Sequence, residues 1–234
     1  MSARIAVLAS GGGSNLQAIL DYFDTLGNAQ SGQVVVVASN RPGAGALARA
    51  TARDIPAVVL RSTKQLDGPT LADVVDDHDV DLIVLAGYLK LLPPDIVERF
   101  DGRILNVHPA LLPAFGGHGM YGNHVHRAVL ESGVKITGVT VHFVNPVYDT
   151  GRIIAQWPVP VFASDDVASL AARVLRVEHL IYPRVVDAVA AGRTTLASTV
   201  TSAGIGAVDS RPSFTLLSHE DSRLAENIEL ALGC

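Results

Sequence analysis

Cysteine is almost absent from this sequence. The 234 residues hold a single cysteine, Cys234, at the last position. One thiol cannot form an intramolecular disulfide, and it cannot build a multi-thiolate metal site. The chain must therefore be stabilised by a hydrophobic core, and 48% hydrophobic residues provide the material for one.

Charge is also scarce, at 18% of residues with a net value of −5. Nucleic-acid or membrane-surface binding over a broad face needs clustered Lys and Arg, so the composition speaks against both as partners. No apolar run approaches the length of a membrane span, and the first residues lack the long apolar core of a signal peptide. These absences predict a cytoplasmic location, and the sequence leaves the oligomeric state open.

Short apolar runs alternate with helical patterns over the first half of the chain. The predicted strands are residues 5–9, 34–38, 57–60, 82–86 and 104–107, and the predicted helices are 15–23, 45–53, 70–77 and 94–100. The strands lack period-2 alternation, which is typical of strands buried on both faces. This order predicts an α/β fold, Rossmann-like, with a mostly parallel sheet and helices on both faces.

The pattern changes after residue 115. Alternating residues 135–144 predict a strand exposed on one face, and residues 153–161, with Pro158 and Pro160, suit an edge strand. These strands would be antiparallel additions in the C-terminal half. Residues 165–191 predict a long helix with Ser164 as its N-cap, divided or kinked at Pro183. We expect a single domain over residues 1–193 and a tail of uncertain structure over 194–234.

A glycine-rich turn, Ser10-Gly11-Gly12-Gly13-Ser14-Asn15, joins the first strand to the first helix. Glycines let backbone N–H groups approach an anion, and a helix N-terminus adds partial positive charge. The bland alternative is a tight turn without a ligand. A dinucleotide fingerprint would need a third glycine where Leu16 stands, and a Walker lysine is missing. The turn therefore favours a monophosphate ligand.

Asn106-Val107-His108-Pro109 closes the fifth predicted strand. Residues two apart on an extended segment face the same side, so Asn106 and His108 should point together into the crevice at the carboxyl ends of the strands. An amide donor and an imidazole suit acyl transfer, which needs an oxyanion donor and a proton-moving group. Alternatively, His108 simply bonds a backbone carbonyl.

A later acid, Asp149, lies in a turn before Gly151. Its role depends on meeting His108 in space, where a carboxylate would raise the pKa of the imidazole. His118, His124 and His126 are interpreted as surface-loop histidines rather than metal ligands, because no acid or cysteine with ligand spacing accompanies them. The expectation is that no metal is bound. His142 is left open between a site residue and a buried core residue.

Taken together, these motifs resemble the glycinamide ribonucleotide formyltransferases of purine biosynthesis. The likeness covers about residues 4–193, and it is carried by the segments at 10–18, 85–92, 106–113, 138–144, 149–151 and 178–183. It implies transfer of a formyl group from 10-formyltetrahydrofolate to the amine of the ribonucleotide. It also implies a catalytic set of Asn106, His108 and Asp149.

The same resemblance implies the binding residues. Gly13, Ser14 and Asn15, helped by Arg103, would hold the substrate phosphate, and Glu178 would engage the ribose or glycinamide end. The folate would contact Lys64, Leu89, Lys90, Leu91, Leu92, Asn106, Val144 and the loop at residues 145–149. The sequence departs from the family pattern at Ala110, where a serine is common, and in a longer glycine-rich loop after Pro113. The competing interpretations are a formyl-folate hydrolase, a tRNA formylase and a non-catalytic phosphate sensor.

Overall fold

The computed structural model describes residues 2–61 and 67–196, together with residues 228, 230 and 232. Its strands are β1 (Ala3–Leu8), β2 (Gly32–Ser39), β3 (Ala57–Val59), β4 (Leu82–Leu85), β5 (Ile104–His108), β6 (Ile136–Phe143) and β7 (Ile153–Pro160). Its α-helices are α1 (Ser14–Leu26), α2 (Gly45–Thr51), α3 (Leu71–Asp77), α4 (Pro94–Arg99), α5 (Asn123–Ser132) and α6 (Val167–Ala190). The predicted strand–helix alternation is confirmed, with boundaries that differ by a few residues.

All seven strands form one sheet in the order β3-β2-β1-β4-β5-β6-β7. The strands from β3 to β5 pair in parallel, whereas β5 pairs with β6, and β6 with β7, in antiparallel fashion. The predicted α/β class, a mostly parallel sheet with antiparallel strands in the C-terminal half, is confirmed. β7 lies at the sheet edge, as its prolines predict.

Each buried strand supplies side chains to both faces of the sheet. Ile5 and Val7 of β1 enter a core that includes residues of α1 and α6, whereas Ala6 and Leu8 enter a second core that includes residues of α3 and α4. Successive side chains of a strand point to opposite faces, which explains the near-continuous apolar runs. The two cores hold the sheet rigidly, so the carboxyl ends of β1, β4 and β5 have fixed positions.

The prediction that residues 135–144 form a strand exposed on one face is wrong. Of the residues of β6, Ile136 is exposed and the other seven are buried. The polar residues of its second face are covered by the segment after β5, where the Thr140 hydroxyl donates to the Ala110 carbonyl and accepts from the Leu112 N–H. The polar alternation therefore marks a buried polar face and not a solvent-facing one.

Helix α6 also corrects two predictions. Its N-cap is Asp166 rather than Ser164, because the Asp166 carboxylate accepts from the Ser169 N–H in a capping box. Pro183 does not divide the helix, which runs unbroken from Val167 to Ala190. Tyr182 and Val185, on either side of the proline, are fully buried, and this packing offsets the backbone hydrogen bond that proline cannot donate.

The tail predicted for residues 194–234 lies mostly outside the described residues, so the domain boundary remains a prediction. In the described part of the chain, no helix combines the length and apolarity needed to cross a membrane.

Candidate active site

A cavity of about 730 Å³ opens at the carboxyl ends of β1, β4 and β5. One end is lined by Asn15 of α1 and Glu178 of α6, and the other by Leu92 and Val144. Asn106, His108 and Asp149 also line this cavity. Parallel sheets place ligand crevices at this edge, and the residues predicted from two distant halves of the chain meet there.

His108, the last residue of β5, is only 3% exposed. Its Nε2 lies 2.8 Å from the carbonyl oxygen of Phe115. Because a carbonyl can only accept, Nε2 must carry a hydrogen. Its Nδ1 lies 3.6 Å from Oδ2 of Asp149. The two alternatives left open by the sequence therefore coexist: His108 bonds a backbone carbonyl, and it also faces the distant carboxylate.

Asp149 occupies a left-handed backbone conformation, with φ of 54°. Its Oδ2 accepts from the N–H of Gly117 at 2.9 Å, and its Oδ1 lies 3.7 Å from Nε2 of His142. Burial alone would raise the pKa of Asp149, but His142, His108 and the Gly117 N–H together lower it below the usual value. Asp149 is therefore a carboxylate at neutral pH.

The pKa of His108 corrects an expectation from the sequence. Attraction to Asp149 does raise this pKa, but burial lowers it by more, so the net shift is downward. The structure therefore favours the neutral imidazole. A negative charge arriving beside His108 would be needed to favour its protonation.

Asn106 and His142 face each other across the β5–β6 pair. Nδ1 of His142 lies 2.8 Å from the carbonyl of Phe143, so Nδ1 donates and Nε2 is free to accept. Nδ2 of Asn106 lies 3.1 Å from this Nε2 and donates to it. His142 therefore orients the Asn106 amide while it also lies near Asp149. The sequence leaves the role of His142 open, and its register opposite Asn106 makes it a residue of the site.

Gly151 fixes the turn that carries Asp149. A Cβ atom built on Gly151 would lie 1.7 Å from the carbonyl oxygen of Phe143. Only glycine allows the turn to approach the end of β6 this closely. This contact places Asp149 beside the two histidines.

The glycine-rich turn closes the other end of the site. Gly13, the N-cap of α1, has φ of 75°, and a Cβ there would lie 2.7 Å from Cα of Ala46. Ser14 begins the helix, and Asn15 follows, with Nδ2 donating to Oε2 of Glu178 at 2.6 Å. No partner among the described residues reaches the buried Oδ1 of Asn15.

Glu178 is buried on the inner face of α6 beside Asn15. Burial raises the pKa of Glu178 to about 7, and the hydrogen bond from Asn15 opposes that rise. A buried carboxyl group with this pKa can lose or hold a proton near neutral pH. Glu178 therefore presents an acceptor or a donor to a polar group that enters the cavity.

The residues predicted to contact folate line the cavity wherever the structure describes them. The cavity lining includes four consecutive residues, Leu89, Lys90, Leu91 and Leu92. It also includes Val144, which directly follows β6. Leu92 is buried, whereas Leu91 is exposed. Lys64, the remaining predicted folate contact, lies outside the described residues.

Arg103 is not brought to the site. It immediately precedes β5, whereas the site lies at the other end of that strand, at His108. The Arg103 guanidinium instead lies 4.8 Å from the centre of the Phe100 ring and donates to the Arg99 carbonyl at 2.6 Å. The inference that Arg103 helps to hold the phosphate is therefore not supported by its position.

The interpretation of His126 as a surface-loop residue is wrong. It is a buried residue of α5 that lines the cavity, and no partner among the described residues reaches its Nδ1. Burial, followed by repulsion from His108, lowers the pKa of His126 to about 4. The helical spacing of Val125 and Val129, both buried, could have indicated that this face points inward.

The formyl transferase family model matches residues 3–186, so the chain belongs to the formyl transferase family. The chain is 47% identical over 191 residues to the chloroplastic phosphoribosylglycinamide formyltransferase of Arabidopsis thaliana, covering 80% of this chain and 65% of that protein. It thus spans slightly less than two thirds of the plant relative's length.

Two further relatives are matched over most of their length. Phosphoribosylglycinamide formyltransferase of Escherichia coli is 41% identical, with 81% of this chain and 88% of that protein covered. The crystal structure of glycinamide ribonucleotide transformylase 1 from Symbiobacterium toebii superposes with a TM-score of 0.74 at 42% identity. That superposition covers 82% of this chain and 89% of the other.

Proposed function

We propose that this chain transfers a formyl group from 10-formyltetrahydrofolate to the amine of glycinamide ribonucleotide, a step of purine biosynthesis, and that it does so in the cytoplasm. One observation carries the proposal: Asn106, His108 and Asp149 line one cavity, with Nδ1 of His108 3.6 Å from Asp149, and Asn15 at the end of the glycine-rich turn and the apolar Leu92 and Val144 line the same cavity. This arrangement suits a formyl transfer between two substrates.

The apolar end suits the pterin ring of the folate. Leu92 and Val97 line it together with Val144, and these side chains would stack against a flat heterocycle while nearby backbone groups bond its edge. Lys90, exposed at the same end, would face the acidic tail of the folate. The residues present therefore fit the co-substrate, which supplies the formyl carbon on N10.

The polar end suits the ribonucleotide. The N–H groups of Gly13, Ser14 and Asn15 at the start of α1 would bind the phosphate. Glu178 and the unpartnered Oδ1 of Asn15 would accept from the ribose or glycinamide end. Both substrates would then bring the amine and the formyl carbon together beside His108, and this proximity is itself a large part of catalysis.

The chemistry falls to three side chains. Asn106, held by His142, donates to the formyl oxygen as negative charge develops there. As that charge develops beside the carboxylate of Asp149, the pKa of His108 would rise from its lowered value, and His108 would take up the proton that the attacking amine loses. The charged imidazole would stabilise the negative formyl oxygen, and when the bond from the formyl carbon to N10 breaks, the proton would pass to N10 through a water ordered by Asp149. No metal takes part in this scheme.

The experiment is an assay of 10-formyltetrahydrofolate consumption with and without glycinamide ribonucleotide, with formate and formylated product measured separately. We expect formylated ribonucleotide to accumulate only when the acceptor is present. Formate release without the acceptor would identify a hydrolase instead, and binding of the ribonucleotide without turnover would identify a phosphate sensor. His108→Asn serves as the inactive control.

A further inference from the structure

A cation would strengthen phosphate binding at the end of the site near the glycine-rich turn, and Arg103 does not provide one. Backbone N–H groups bind a phosphate dianion through partial charges only, and a full positive charge strengthens such binding considerably. In the described part of the chain, Arg41 and Lys90 are the Lys and Arg side chains that line the cavity. Lys90 follows β4 beside Leu91 and Leu92, on the folate side. Arg41 is the remaining cation.

Arg41 follows β2, the strand next to β1 in the sheet, so it emerges beside the glycine-rich turn. The two segments are tied together, because the Ser10 hydroxyl donates to Oδ1 of Asn40 at 2.6 Å. The Ser10 oxygen also accepts from the N–H of Leu89 at 3.0 Å, so Ser10 ties the segment after β4 to the segment after β2. Asn15 in α1, the helix that follows β1, and Arg41, which follows the adjacent strand β2, therefore line one cavity.

The Arg41 backbone is fixed while its side chain is available. Its N–H donates to Oγ of Ser39 at 3.1 Å. Among the described residues, no hydrogen bond or ion pair engages the Arg41 guanidinium, which is exposed. A guanidinium offers five donors in a planar fork that matches phosphate oxygens.

Arg49, the other arginine near the turn, is already committed. Its Nε donates to the Gly12 carbonyl at 2.7 Å, and its Nη1 donates to Oε1 of Gln17 at 3.0 Å. The N–H of Ala46 likewise holds the Gly11 carbonyl at 3.1 Å. Helix α2 thus draws these carbonyls toward itself. Because the N–H across a trans peptide points opposite to its carbonyl, the N–H groups of Gly12 and Gly13 face away from α2 and remain for an anion.

We propose that Arg41 is the cationic ligand of the substrate phosphate and completes the anion site that the glycine-rich turn begins. The inference rests on the proposed function, which supplies the phosphorylated ribose. It gives the enzyme a way to select the ribonucleotide over its dephosphorylated riboside.

The test compares Arg41→Gln and Arg41→Lys with Arg103→Gln as the matched control. We expect Arg41→Gln to raise KM for glycinamide ribonucleotide by about tenfold or more, with kcat little changed, since the phosphate is remote from the reacting carbon. Turnover of the riboside should be insensitive to the same change. Arg41→Lys should retain part of the affinity, and Arg103→Gln should behave as wild type.

A binding measurement without turnover separates this inference from the proposed function. Calorimetric titration with ribose 5-phosphate should show a loss of affinity in Arg41→Gln similar to the change in KM. Unchanged ribose 5-phosphate binding in Arg41→Gln, or an equal loss in Arg103→Gln, would overturn the inference. If the wild type binds ribose 5-phosphate through Arg41 but does not formylate the ribonucleotide, the inference stands and the proposed function fails.

Discussion

The parallel and antiparallel parts of the sheet contribute to the site in different ways. From β1 to β4, the contributing residues lie in the turns that follow strands, as Gly13 and Lys90 do. From β5 to β7, they lie within paired strands, as Asn106 and His142 do, with Asp149 in the connecting turn. The groups proposed to bind the substrates thus lie in turns, whereas the reacting groups lie on paired strands or, for Asp149, in a turn that Gly151 fixes against β6. We therefore expect changes in the first part to act on KM and changes in the second to act on kcat.

The largest effect should come from the antiparallel part. His108→Asn or Asp149→Asn should lower kcat by about 10²–10⁴-fold, the usual contribution of acid–base groups, with KM for both substrates nearly unchanged. Steady-state kinetics with each substrate varied in turn measures both constants. His124→Asn, a change at an exposed histidine of α5, is the control. If KM rose in the two site variants by a factor comparable to the fall in kcat, the antiparallel part of the sheet would not act mainly on kcat, and the comparison would be wrong.

Glu178→Gln should act on binding and on stability in opposite directions. Replacing the carboxyl group by an amide leaves one accepting oxygen and turns the other position into a donor, which should raise KM for the ribonucleotide by about tenfold. The folded-state pKa of Glu178 is raised to about 7, so the native state binds more protons than the unfolded state between pH 4.5 and 7, and this carboxyl lowers stability as pH rises through that window. At pH 8 the free energy of unfolding of the variant should exceed that of the wild type by about 3 kcal/mol, or about 6–12 °C in Tm.

Thermal melts at pH 8 and pH 5 measure this stability effect. The gain should disappear at the lower pH, because the wild-type carboxyl is then protonated. An equal Tm difference at both values would show that ionisation of Glu178 is not the cause.

The smallest effect concerns His126 and the acid side of the stability profile. Its folded-state pKa of about 4 lies below the ordinary value of 6.5. Its unfolded form therefore binds more protons between those values, so stability is full above pH 6.5 and falls as pH drops toward 4. When the pH is lowered from 7 to 4.5, the free energy of unfolding of His126→Gln should fall by about 2 kcal/mol less than that of the wild type. Denaturant titrations measure this slope, and a His124→Gln chain should keep the wild-type slope.

The parallel half could be predicted from sequence because each apolar run is a strand buried on both faces. Asn106 and His108 were predictable for the same reason, since their spacing and the strand end place them in the crevice. The position of Arg103 away from the site could also have been predicted, because a residue that precedes a strand lies at the opposite edge of the sheet from a residue that follows it. The net pKa shift of His108 depends on its burial, which the residue pattern around it does not reveal.

Other parts of the site depend on contacts between distant segments. That Asp149 meets His108 follows from the register of β6 and the turn after it, and neither can be counted from spacing. The polar side chains of β6 imitate a solvent-facing strand, because a strand covered by a polar loop has the same alternation as one covered by water. His126 is likewise buried by the segments that pack around it, and the helical spacing of Val125 and Val129 is the one sign of this in the sequence.

The close approach at Gly151 has a consequence for variation of this protein. Any side chain at this position would collide with the backbone of β6 and push the following turn outward, so the acid would move away from its two imidazoles. Activity would then be lost through a residue that meets neither substrate. Libraries that vary the pocket to accept new substrates should therefore keep Gly151. A substitution there would displace Asp149 and lower activity whatever its effect on substrate selectivity.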